Sequence, residues 1–272
     1  MLKQIQNKKA LLMWLIVPAL AILIHPYVKA NAEHLKWLST ALMLSVLFFS
    51  VVVHELAHGA AAAIGGDTTA LNAGRLSFNP IRHVSVVGSI IVPLALYLFK
   101  FSVVFGWAKP VPFNPVNLRR HPRDQVFLTL AGPLSNFVLA YLGFTLFLII
   151  GFLFNLFVQT PINYHWDIFT PLNFPDGPYL AVWFVLFQVL RFSIVINIGL
   201  GLFNLIPFPP LDGFWVLKAL LPGKVAAFLG KIQIYGIILL FVALHFKLLS
   251  VILYPFVTIF GLLQMFTQAC LG

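Results

Sequence analysis

The sequence predicts an all-α integral membrane protein, a multi-pass helical bundle with short extended segments near one polar site. Two observations carry this. Of 272 residues, 61% are apolar and only 9% are charged, whereas a water-soluble domain needs about a quarter charged residues to cover its surface. Several apolar runs also exceed the roughly 18–20 residues that cross a hydrocarbon core.

Taken in order, spans are expected at 10–26, 37–63, 126–158, 178–206, 225–245 and 248–269, about six in all. A further segment at 85–106 is interrupted by Pro93 and Lys100. It reads as a re-entrant or hairpin segment, because irregular backbone at membrane depth must be covered by protein or water. Lys3, Lys8 and Lys9 precede the apolar run from Ala10 to Ile24, and Ala30-Asn31-Ala32 follows it, which also fits a signal peptide. An uncleaved first span is the preferred reading. The chain, 1–272, is expected to form a single membrane-embedded domain, with a core at about 37–216 and flanking helices at 10–26 and 225–269.

The net charge of +10 lies mostly in short connections between apolar runs, as positive-inside signals do. No basic groove interleaved with aromatics is visible, so no nucleic-acid partner is expected; the lipid bilayer is. Residues 107–125 carry Lys109, Arg119, Arg120 and Arg123, and 213–224 carry Lys218 and Lys224, so these loops should be cytoplasmic. Residues 159–177 carry Asp167 and Asp176 with no lysine or arginine and should face outward. Spans 37–63 and 178–206 then run from outside to inside. Cys270 is the single cysteine, which excludes an internal disulfide and a cysteine-based zinc cage.

Chemistry enters at His54-Glu55-Leu56-Ala57-His58. On a helix, positions four apart share a face, so two imidazoles can bind one metal ion. The glutamate between them can take a proton from the attacking water as general base. Ionisable groups within an apolar helix cost about 2.5–3.5 kcal/mol each and are functional candidates by default.

Two histidines leave a catalytic zinc one protein ligand short. Only seven acidic residues are available. Asp167 and Asp176 fall on the far side, Glu33 precedes the helix at its wrong end, and Asp124 sits among arginines. Asp67, just beyond Gly65-Gly66, remains possible. Asp212 follows span 178–206 on the same side as His54 and His58, and it is preferred. Before it, prolines at 207, 209 and 210 cannot continue a helix, and Gly213 permits a tight turn.

Together these motifs resemble the site-2 protease family of intramembrane zinc metalloproteases. The resemblance rests on His54-Glu55-Leu56-Ala57-His58, Ala131-Gly132-Pro133-Leu134-Ser135-Asn136, and Asn204 through Asp212-Gly213. Gly106-Trp-Ala-Lys-Pro-Val-Pro-Phe-Asn-Pro115 resembles a stretch of the compact bacterial members, and the whole covers about 45–216. It implies one zinc ion per chain held by His54, His58 and Asp212, with Glu55 as general base. It also implies that Asn136 and Asn204 assist the oxyanion or hold substrate backbone, and that no PDZ domain is inserted. The chain departs from the family pattern after Arg82-His83, where Val84-Ser85 stand in place of an acidic residue.

The expected function is zinc-dependent intramembrane endoproteolysis of transmembrane protein substrates, in the cell membrane, with the site towards the cytoplasm. The proline-bearing segments at 74–82 and 107–118 are expected to offer an edge for strand addition by an unwound substrate. Two rival readings are a membrane cation transporter and an inactive protease-like scaffold. The transporter has no use for a glutamate at the general-base position, and other spans carry basic groups such as Arg191 and Lys231, which repel cations.

Overall fold

The structure, a computed structural model, describes residues 8–98, 107–158, 165–167, 172, 179–246 and 250–271. Among them every regular element is helical. A 3-10 turn over Lys8–Leu15 leads into α1 (Ile16–Val28), followed by α2 (Ala32–Gly65) and α3 (Thr69–Asn72). A π-helical turn at Val86–Ile91 continues as α4 (Val92–Leu98). Then come α5 (Arg123–Val158), α6 (Leu180–Asn204), α7 (Asp212–Leu220), α8 (Gly223–Ile232), α9 (Gly236–His245) and α10 (Ser250–Leu271).

Among the described residues, five stretches are long and apolar enough to cross a membrane: Lys9–Val28, Ala32–Gly65, Arg123–Phe157, Leu180–Asn204 and Gly223–Ala243. They correspond to the first five expected spans. The sixth, expected at 248–269, falls on the helix Ser250–Leu271, which is not one of these five; its apolar stretch is the shorter Thr258–Leu271. The segment expected at 85–106 begins as the paired turns Val86–Leu98, and residues 99–106 lie outside the described residues. Most of 159–177 lies outside them as well.

Local chemistry sets the helix ends that matter. The Asn31 carboxamide oxygen accepts from the backbone N–H groups of Glu33 (3.0 Å) and His34 (3.2 Å), satisfying donors that the first turn of α2 leaves open. At its other end α2 stops at Gly65. Gly66 follows with φ +109°, a left-handed conformation that suits glycine. Helix α6 ends at Asn204, just before the prolines, and Asp212 opens α7.

The residues group into two compact units. The second, Leu11–Ser50, Asn136–Gly199 and Tyr254–Gly272, has an aromatic core built on Phe147, Phe154, Phe187 and Trp166, and another on Phe184, Phe192 and Leu42. Several polar side chains inside it pair with one another. Asn136 donates to Asn197 (2.7 Å), Asn197 donates to Ser50 (2.9 Å), and Gln188 donates to Ser39 (2.7 Å). In an apolar surround a polar side chain must find such partners. Helix faces that carry large exposed residues, such as Leu23 and Leu12 on the first span, are what lipid covers.

The first unit comprises Met1–Ala10, Val51–Ser135 and Leu200–Leu253. Its apolar packing joins Ala61, Ala62, Leu118 and Leu128, and separately Ile206, Leu211, Leu240 and Ala243. His54, Glu55, His58 and Asp212 lie within this unit.

Candidate active site

His54 and His58 project from one face of α2, as positions four apart must, and their Nε2 atoms lie 3.0 Å apart. The turn after the prolines brings Asp212 to the same point. Its Oδ2 is 3.1 Å from His54 Nε2 and 3.3 Å from His58 Nε2. Among the described residues this is the group of three metal-type side chains whose ligand atoms converge.

The triangle fits zinc. Bonds of about 2.0–2.1 Å at the tetrahedral angle separate ligand atoms by roughly 3.3 Å, close to the three observed edges. The donor chemistry agrees. His58 Nδ1 lies 2.8 Å from the Leu128 carbonyl oxygen, which only accepts, so Nδ1 carries the proton and Nε2 presents its lone pair. Asp212 Oδ2 is buried with no hydrogen-bond partner. Lone pairs converging on one point call for a cation.

Gly132 makes the site possible. A Cβ there would stand 2.7 Å from His54 Cε1 and 2.5 Å from His58 Cε1, inside van der Waals contact, so only hydrogen fits between α5 and the imidazoles. Gly213 is equally confined, because a Cβ would press on the backbone of Leu205 and Ile206.

Glu55 lies next to the first histidine, and its Oε2 accepts from the Val111 backbone N–H at 2.8 Å. Val111 belongs to the irregular segment 107–114, whose backbone is already engaged nearby. Lys109 N–H donates to the His83 carbonyl (2.8 Å), and Arg75 Nη2 donates to the Lys109 carbonyl (2.6 Å). Strand addition by a substrate at 109–111 therefore has to exchange these bonds.

The alternative ligand, Asp67, is spent elsewhere. Its carboxylate accepts from Thr69 N–H (3.1 Å), Thr69 Oγ1 (2.5 Å), Asn114 N–H (2.6 Å) and Asn117 Nδ2 (2.9 Å). Burial pushes its carboxyl up, but these four donors outweigh it and hold the group below the usual aspartate range. Asp67 pins the loop after α2 to the 107–118 segment. Asn204 Nδ2 donates to the Leu200 carbonyl one turn back (3.0 Å), and Asn136 belongs to the second unit, where it meets Asn197.

Sequence reasoning missed Leu128, Val111, Arg75 and Asn197. The first two act through backbone groups, which leave no side-chain signature. The last two carried a signal as polar residues in apolar or proline-rich surroundings.

Comparison with known proteins identifies the family. The sequence model of Peptidase family M50 matches residues 42–244, which include all four motif residues. YwhC of Bacillus subtilis (strain 168), a protein provisionally named a zinc metalloprotease, is 32% identical over 213 residues, spanning 78% of this chain and 84% of that protein. No solved structure matches the chain. With the family matched over most of its length, the chain belongs to peptidase family M50, the site-2 protease family, and is a membrane zinc metalloprotease.

Proposed function

We propose that this protein is a zinc-dependent intramembrane endopeptidase that hydrolyses peptide bonds of transmembrane protein substrates. The triangle of His54 Nε2, His58 Nε2 and Asp212 Oδ2, with edges of 3.0–3.3 Å, carries the reading. These residues hold one zinc ion per chain. Zinc so held supplies Lewis-acid chemistry, polarising a carbonyl oxygen and making water acidic enough to lose a proton near neutral pH.

The rest falls to the chain's own groups. Glu55 takes the proton from the attacking water and returns it to the departing amine, work for which the Val111 N–H keeps its carboxylate in place. Asn136 and Asn204 belong to the same proposal as groups that hold substrate backbone or the oxyanion. Because helical carbonyls are already hydrogen-bonded, the substrate helix unwinds locally before cleavage. The basic loops 107–125 and 213–224 support a site on the cytoplasmic side of the cell membrane. A cation transporter needs ligands spaced along a path through the bilayer, whereas the three donors meet at one point.

The test is cleavage of a membrane-embedded substrate by purified protein in liposomes, before and after zinc removal. Stripping with a chelator abolishes hydrolysis and added zinc restores it. Undiminished cleavage by demonstrably metal-free protein contradicts the proposal.

A further inference from the structure

Arg75 follows α3 and Gly74, and it is 8% exposed; among the described residues Arg191 is the other buried arginine. Its Nη2 donates to the Lys109 carbonyl at 2.6 Å and reaches the Pro110 carbonyl at 3.4 Å. The next residue, Val111, donates its N–H to Glu55 Oε2 at 2.8 Å. Between them Pro110 has no N–H, and the Lys109 N–H is taken by the His83 carbonyl. The backbone on which Glu55 rests is therefore gripped at Lys109 and Pro110 by one guanidinium.

We propose that Arg75 is a positioning residue for Glu55, acting through the backbone of residues 109–111. The inference rests on the reading of Glu55 as general base. A purely structural arginine is a poor explanation of what surrounds it. Two neutral carbonyls compensate a buried guanidinium weakly, and its Nε has no hydrogen-bond partner. Burial works against its charge, Arg82 adds to the penalty, and Glu55 is the carboxylate whose charge favours it. Arg75 thus holds, by hydrogen bonds to the Lys109 and Pro110 carbonyls, the backbone that donates to Glu55. A guanidinium has no lone pair to give a metal, so Arg75 stands outside the ligand set of His54, His58 and Asp212.

The chain of contacts separates Arg75 from a group that binds substrate or metal. In Arg75→Met, zinc per chain and KM stay at the wild-type level while kcat falls roughly 10–100-fold, the usual cost of losing an outer-sphere partner. Guanidinium ion added to Arg75→Met restores part of kcat, and sodium at equal concentration does not. Combined with Glu55→Gln, Arg75→Met lowers the remaining rate no further, because its effect runs through Glu55.

Zinc loss, a raised KM with kcat intact, multiplied losses in the double variant, or an unimpaired Arg75→Met overturns the proposal. Should Arg75→Met not fold, Arg75→Lys replaces it: a lysine keeps the charge and one donor direction but not the fork over both carbonyls. A lowered kcat at unchanged KM supports positioning, and an unchanged kcat overturns it. Normal cleavage by Glu55→Gln alone removes the general-base reading itself, whereas inactive Glu55→Gln beside unimpaired Arg75→Met removes only the role of Arg75.

Discussion

His58 donates its Nδ1–H to the carbonyl oxygen of Leu128 across 2.8 Å, and this bond decides which of its nitrogens faces Asp212. With the proton committed on the far side of the ring, Nε2 is left as a lone pair 3.3 Å from Asp212 Oδ2. Such outer partners set ring orientation and ligand basicity in metal sites. Leu128 lies on α5, as does Gly132, one turn further along. One helix therefore both orients the imidazole and leaves it room.

Gly132→Ala tests that second role. The added methyl would occupy space already filled by the rings of His54 and His58, so the imidazoles must turn away from the shared point. Zinc affinity, measured by competition with a chelator of known strength, is expected to fall about 10–100-fold while helical content is retained. Wild-type affinity in a folded Gly132→Ala would show that the close approach is not needed.

Asp67 and Asp212 should separate cleanly. Asp67→Ala leaves its four donors without their acceptor, at a cost of about 2–4 kcal/mol, yet zinc per chain stays unchanged. Asp212→Ala should lose the metal. Thermal unfolding and metal content of the two variants check this, and zinc loss in a folded Asp67→Ala would return that residue to candidacy.

Asp67 also gives stability a pH dependence. Its carboxyl is held below the ordinary aspartate range in the folded state, so the unfolded chain binds the proton at higher pH than the folded one. The contribution is complete above about pH 4, the unfolded value, and is lost as the pH falls through the folded value. Unfolding midpoints of the metal-free protein should drop on acidification below about pH 4. Asp67→Asn should flatten part of that drop.

Membrane orientation rests on loop charge. Cysteine labels placed in 107–125 or 213–224 should react from the cytoplasmic side, and labels in 159–177 from outside. Finding 159–177 on the same side as 213–224 would undo the exclusion of Asp167 and Asp176 as ligands.

Much of this was legible in the residues themselves. Long apolar runs located five of the spans, because a bilayer demands length and composition that few other environments do. The prolines at 207, 209 and 210 marked the break after span 178–206; α6 ends at Asn204, two residues earlier, and Gly213, expected in a tight turn, lies in the first turn of α7. Spacing alone put His54 and His58 on one face. Span 225–245 was less legible: it is broken by a 3-10 turn at Gln233–Tyr235, before Gly236, where a Cβ would stand 3.1–3.2 Å from Pro209 and Pro210. That contact is between residues far apart in the chain, and no local pattern records it. The same holds for the Val111 N–H on Glu55 and the Leu128 carbonyl on His58. Asn197, a bare polar residue in an apolar helix, was a visible signal whose partners, Asn136 and Ser50, only folding supplies.

The central claim is that one carboxylate does proton chemistry beside a metal it does not bind. Glu55→Gln, His54→Ala and Asp212→Ala should be purified side by side, with zinc per chain and cleavage of a membrane-embedded substrate measured for each. Glu55→Gln should retain zinc and lose about 10²–10⁴-fold in rate, the usual contribution of a general base, while the other two lose metal and activity together. Undiminished cleavage by folded, zinc-loaded Glu55→Gln would contradict the account.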